Sequence, residues 1–325
     1  MQPVPHVHGQ TVRVKIMKMK GMLGLPCKGG KNDLLEFLLP LIKYLALESP
    51  KRAFLDVCGG GGKLACNVVT EFLYDKVLYN EYERGMAALM ACLTDETLTR
   101  KVIKMVDRLV QSSLSTNPKD VFDYAKKERD QPSLDQTVAA AYTFYCIYAS
   151  YANNRMTFNE NKATEYLLNK HMQKVLLKYP TRIQRMLVTC GSCFDVLERY
   201  IDYDDITSFI DPPYYHTNTY KNDWSQEDYQ RLKVILSRTK NKIILCGREE
   251  DKSVYDCMLA QGWTRTSLGY TSKSSDSDGA LAEEFIWTNF SVPLFITDLV
   301  NKRSADRAIA KEKKERKQIL CGEIA

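Results

Sequence analysis

Apolar positions along the chain follow two periods, and the two alternate in blocks. Residues 11–20 alternate, with Val12, Val14 and Ile16 against Arg13 and Lys15, which predicts a short strand. Asn32 and Asp33 suit the N-cap of a helix over 34–47, whose Leu34, Leu38, Leu41, Ile42 and Leu45 recur at helical spacing. Residues 53–57 read as a buried strand, 63–72 as a helix and 76–79 as a second strand. From 84 to 185 the spacing is mostly helical, with a polar break at 112–118. Within it, residues 139–151 predict a buried helix whose aromatics serve the core. Strand and helix then alternate again. Strands are expected at 182–188, 206–210 and 242–246, and helices at 194–200, 225–237 and 254–260. Residues 263–270 and 284–289 read as a closing antiparallel pair around a loop at 272–279. The whole is an α/β pattern.

Composition narrows the class without naming a chemistry. With 325 residues, 44% apolar and 26% charged, the chain has the make-up of a globular protein with a substantial core. No window holds the apolar run of about 18 residues that a membrane span needs. Residues 1–6 lack the apolar core of a secretion signal, so a cytoplasmic protein with reduced thiols is expected of its ten cysteines. Cys190 and Cys193 form a lone C-x-x-C with no second pair and no nearby His, which points to neither zinc nor redox chemistry. No metal is expected. The net charge of +6 favours a polyanionic partner. Residues 301–317 carry eight Lys/Arg against three acids, which is +5 of that charge. Such a tail can touch phosphates, although a solvated helix is the commoner use of the pattern.

Candidate chemistry lies where strands end. After 53–57 comes Gly59-Gly60-Gly61-Gly62 and then a helix, the opening of a nucleotide-binding α/β sheet. It is neither a phosphate-binding P-loop nor a strict G-x-G-x-x-G, since Lys63, Leu64 and Ala65 follow the glycines. The second strand ends in Asn80-Glu81, and an acid there can accept both ribose hydroxyls of an adenosyl group; a helix-capping role competes with that reading. Gly29-Gly30-Lys31 precedes a helix and can hold an anion. The strand 206–210 runs into Asp211-Pro212-Pro213-Tyr214. Neither proline has an N–H, so this stiff turn offers acceptors only, beside an aromatic ring. An exocyclic amino group on a flat heterocycle suits it, with its two N–H groups directed at Asp211 and the Pro212 carbonyl. Asn154 and Arg155 lie in a polar stretch after 139–151, and amides and Arg are the side chains that read base edges.

Taken in order, these motifs resemble one family, the Dam-like DNA adenine-N6 methyltransferases of bacteria and phages, over roughly residues 20–292. Gly29-Gly30-Lys31, Asp56 to Gly62, Asn80-Glu81, the insert and Asp211 to Tyr214 follow the family order, and Glu284 to Asn289 resembles its ending. The departures are Val57-Cys58 in place of Pro-Phe, Glu81 in place of Asp, and Cys27 where an aromatic often stands. The resemblance implies a Rossmann-like class I methyltransferase sheet with helices on both faces. It divides the chain into 1–84 and 186–296 as the two parts of the catalytic domain, 85–185 as a helical target-recognition insert, and 297–325 as a basic tail. It implies S-adenosylmethionine as cofactor, held by Lys31, Asp56, Gly60, Gly62, Glu81 and Asp211. The catalytic turn is Asp211, Pro212, Pro213 and Tyr214, with Tyr214 as the stacking ring. The implied partner is double-stranded DNA, contacted by Asn154 and Arg155, with a restriction-modification or phage setting. RNA adenine, cytosine N4, a protein amide or a catalytically inactive nucleic-acid-binding relative remain open alternatives on the sequence alone.

Overall fold

The first strand among the described residues of the computed structural model is β1 (Ala53–Asp56), buried on both faces as its apolar Ala53-Phe54-Leu55 run requires. It lies between β2 (Lys76–Glu81) and β4 (Ile206–Ile210) and is parallel to both. β3 (Met186–Cys190) extends the sheet beyond β2, and β5 (Lys242–Arg248) extends it beyond β4, again in parallel. β7 (Leu281–Thr288) then runs antiparallel between β5 and β6 (Thr264–Ser272), which gives the order β3-β2-β1-β4-β5-β7-β6. The structure describes residues 23–27, 30–48, 52–161, 175–215, 224–272 and 281–307. The strand expected at 11–20, most of the loop at 272–279 and the basic run beyond 307 fall outside them.

Helices cover both faces. On one side lie α1 (Leu35–Glu48), α2 (Lys63–Thr70) and α3 (Arg84–Leu93). With them go α4 (Glu96–Ser115), α5 (Pro118–Glu128) and α6 (Gln136–Tyr148), and α7 (Pro180–Ile183) returns the chain to β3. On the other side lie α8 (Cys193–Tyr200), α9 (Gln226–Leu236) and α10 (Lys252–Tyr255). The period of two along each strand divides the side chains between two cores. Phe54, Val77, Tyr79, Phe209 and Ile244 join Leu38, Ala65, Met86 and Val102. Leu55, Leu78, Ile210, Ile243 and Leu245 join Leu197, Leu232 and Tyr255. Met86, Leu89, Val102 and Ala140 share the first core with α1, so the insert packs onto the sheet through a continuous apolar interior.

Several boundaries differ from the sequence reading. Asn32 lies inside a 3-10 turn, Asn32–Leu34, and no side chain caps it. α4 continues through the polar stretch at 112 because the Ser113 hydroxyl bonds the Leu109 carbonyl and the Tyr145 hydroxyl, which satisfies it inside the helix bundle. Pro180 starts a helical turn, so β3 begins at Met186 rather than at 182. Ser225 caps the helix expected at 225–237 in a reciprocal pair with Asp228. Residues 294–307 are helical. Ile296 and Val300 enter the first core, and Arg303 pairs with Glu36 at 2.9 Å over the Phe37 ring. The described start of the basic stretch is therefore a docking element. No helix among the described residues is long and apolar enough to cross a membrane.

Candidate active site

Because the parallel strands share a direction, their C-terminal ends meet at one edge, and the strand order reverses between β1 and β4. That is where an open α/β sheet leaves a crevice. A cavity of about 500 Å³ lies there, inside the range of small-molecule sites. Lys31, Asp56, Gly60, Glu81, Asp211 and Pro213 all line it.

The β1 side of the cavity is built from the glycine run. Gly60 has a left-handed φ of +51°, which costs glycine nothing, and its amide donates to Glu81 Oε2 at 2.7 Å. Gly62, at φ +66°, is the N-cap of α2, and a Cβ there would meet Met90 Cε at 2.4 Å. Gly62 thus shapes the turn without lining the cavity. Glu81 Oε1 also accepts the Glu83 amide at 3.0 Å, so two backbone donors hold the carboxylate in one pose. Burial raises its carboxyl above the ordinary value. Asp56 is 2% exposed and accepts the Ala65 amide at 3.2 Å. Burial, helped by the charges of Asp211 and Glu81, pushes its carboxyl up to about 7. Asn80, between these strand ends, donates to the Val57 and Gly191 carbonyls at 3.0 and 3.1 Å, which makes it a brace.

The β4 side carries the Asp-Pro-Pro-Tyr turn. Asp211 Oδ2 meets Lys31 Nζ at 2.7 Å, while its buried Oδ1 has no hydrogen-bond partner among the described residues. Burial raises the Asp211 carboxyl and the Lys31 ammonium opposes that rise. The next residues are pinned. Tyr229 donates its hydroxyl to the Pro213 carbonyl at 2.9 Å, and the Tyr215 amide donates to Asp251 Oδ1 at 2.8 Å. An unsatisfied buried acceptor beside a rigid turn is what a donor-bearing ligand would complete.

Besides Gly62, four expected site residues are placed differently from their sequence reading. Tyr214 does not line the cavity; it is 9% exposed and its hydroxyl donates to Glu284 Oε2 at 2.8 Å. Its ring lies under Lys31 and Arg248 at 4.9 and 5.0 Å, so it is committed to internal contacts rather than open for stacking. Arg155, expected on a base-reading surface, is buried at the cavity wall and pairs with Glu83 at 3.1 Å. Asn154 Oδ1 accepts the Met156 and Thr157 amides and closes a local turn. Pro212 is buried and does not line the cavity.

Other side chains on that wall escaped the sequence reading. Phe194 and Trp224 line it as a tilted pair 5.0 Å apart, with Arg231 over Phe194. Trp224 stands immediately before the Ser225 cap, a signal that an aromatic is held at a helix entrance. Cys193 also lines it, beside Cys58; the Cys193 thiol and burial push the Cys58 thiol well up, so Cys58 is inert as it stands.

Residues 28–266 match the family model of the D12 class N6 adenine-specific DNA methyltransferases. The chain belongs to that family. It is therefore a methyltransferase acting on adenine N6 in DNA, and the sheet order is that of its class I fold. No curated protein matches the chain. The matched residues include cavity-lining positions from Lys31 through Asp56 and Glu81 to Asp211.

Proposed function

We propose that this chain transfers a methyl group from S-adenosylmethionine directly to N6 of an adenine flipped out of double-stranded DNA. The observation that supports the reading best is the cavity in which Asp211, with its unpartnered buried oxygen, faces the same space as Asp56, Gly60 and Glu81. The donor set suits an adenosyl group. Glu81, fixed by two backbone amides, would accept from the ribose hydroxyls, and the bare backbone at Gly60 lets the ligand approach closely. When bound, S-adenosylmethionine supplies an electrophilic methyl carbon.

The chain's own residues prepare the nucleophile. The N6 lone pair is delocalised into the adenine ring and is weak as it stands. Asp211 would accept one of its N–H groups and help localise the lone pair, an electrostatic arrangement set before the reaction begins. Lys31 pairs with Asp211 and opposes the rise that burial imposes on its carboxyl. An ammonium has three protons to donate, so Lys31 can serve Asp211 and a cofactor carboxylate together. Asp211 then stabilises the cationic nitrogen until its proton leaves, and no separate base is required. Flipping the base costs a few kcal/mol. Stacking on Phe194 and Trp224 would offset part of it.

The test is incubation with unmethylated duplex DNA and labelled S-adenosylmethionine, followed by digestion to nucleosides. Label in N6-methyldeoxyadenosine is expected. Label only in N4-methylcytosine, or only when RNA is the substrate, would overturn the reading.

A further inference from the structure

A carboxylate stands at a core position of β7. Along that strand Ala282, Glu284 and Ile286 alternate with Phe285 and Trp287, and all five are under 9% exposed. Glu284 itself is 3% exposed. An unpaired charge there would cost several kcal/mol, so its partners define its use. They come from three separate parts of the chain. Oε1 accepts from Arg248 Nε at 2.8 Å, at the end of β5, and from the Thr271 hydroxyl at 3.2 Å, on β6. Oε2 accepts from the Tyr214 hydroxyl at 2.8 Å, within the same turn as Asp211.

The second feature is how charge is shared around Tyr214. Lys31 contacts both the ring of Tyr214 and the carboxylate of Asp211, while Arg248 contacts the same ring and Glu284. Two acids and two cations thus bracket one phenol. Each cation is assigned to one acid, Lys31 to Asp211 and Arg248 to Glu284. Removing the Glu284 charge takes away the carboxylate that pairs with the Arg248 guanidinium over the Tyr214 ring. The turn is also anchored at Pro213 by Tyr229 and at Tyr215 by Asp251, so the Tyr214 link fixes a side chain within an already placed backbone.

Resting on the proposed activity, we infer that Glu284 is a positioning residue for methyl transfer. Acting through the Tyr214 hydroxyl and Arg248, it orients the Asp211 acceptor and keeps a second cation off it. It touches neither base nor cofactor. The Tyr214 hydroxyl thereby acquires a role, and the ring serves as a spacer between the two ion pairs.

The experiment compares wild type, Tyr214→Phe, Glu284→Gln and the double variant in single-turnover methylation, with cofactor affinity and melting temperature measured on the same preparations. Each single change is expected to slow methylation about tenfold, the size of one charge-assisted hydrogen bond. Cofactor affinity should stay within about twofold, and the double variant should be no slower than the slower single one. Tyr214→Phe leaves the Arg248 and Thr271 contacts of Glu284 intact, so it decides the matter alone if Glu284→Gln does not fold. An unaffected rate in Tyr214→Phe, or losses that multiply in the double variant, would overturn the inference while leaving an active wild type. A wild type that makes no N6-methyladenine would sink the proposed activity and this inference with it.

Discussion

Replacing Asp56 by Asn tests the electrostatics of the cofactor end of the cavity. Asp56 is 2% exposed, with one hydrogen bond from the Ala65 amide and with Asp211 and Glu81 nearby. Its carboxyl is pushed from an ordinary 3.8 up to about 7, first by burial and then by those two acids. As pH rises past 3.8 the unfolded chain gives up the proton while the folded protein keeps it. The stability that Asp56 contributes is therefore complete below 3.8 and is lost as pH rises through about 7. Across the whole window the loss is at most roughly 4 kcal/mol. Water entry and relaxation reduce it to about 2 kcal/mol. Urea unfolding of the cofactor-free wild type and Asp56→Asn, at about pH 5 and about pH 8, compares the two proteins at each pH and so cancels the groups that Asp56 does not influence. The variant should gain about 1–2 kcal/mol on the wild type between those pH values. A difference that does not change with pH would show that Asp56 titrates as an ordinary carboxylate and would end this electrostatic picture.

Glu81→Ala should weaken S-adenosylmethionine binding by roughly 1.5–3 kcal/mol in calorimetry, since it removes a charged acceptor; unchanged affinity would take Glu81 out of the site. Trp224→Ala should lower kcat/KM for DNA by an amount equivalent to about 1–3 kcal/mol of stacking while sparing cofactor affinity; no effect on DNA would return the stacking role to another ring. Truncation after residue 307 keeps the Arg303–Glu36 pair and should weaken binding to all DNA sequences alike. The slope of log affinity against log salt should fall by about 0.9 for each phosphate that the tail no longer neutralises, and an unchanged slope would show that the tail is off the DNA.

Much of the fold is legible in the chain because β1, β4 and β5 are short, mostly apolar segments that are buried on both faces. Residues 53–57, 206–210 and 242–246 match β1, β4 and β5 closely for that reason. The cavity's acids are legible because glycine turns and strand ends mark them. Side-chain direction is not. Tyr214 turns inward because Glu284, 70 residues later, offers it an acceptor, and no local pattern announces that contact. Arg155 reads as a surface residue by its polarity, yet it is buried beside Glu83 from another element. Spacing joins Cys193 to Cys190, and the sheet sets it beside Cys58. These three misses are long-range contacts, which periodicity does not encode.

Asp211 carries the proposed chemistry, and the most direct measurement is N6-methyladenine formation by Asp211→Ala, with melting temperature and cofactor affinity measured on the same preparation. Loss of one preorganised acceptor of this kind costs about 10²–10³ in rate. The variant also removes the partner of Lys31, so a modest change in cofactor affinity is compatible with the proposed role. The expected result is a folded, cofactor-binding protein whose methylation rate falls by at least about a hundredfold. A folded Asp211→Ala protein that methylates adenine at the wild-type rate would contradict the proposed mechanism.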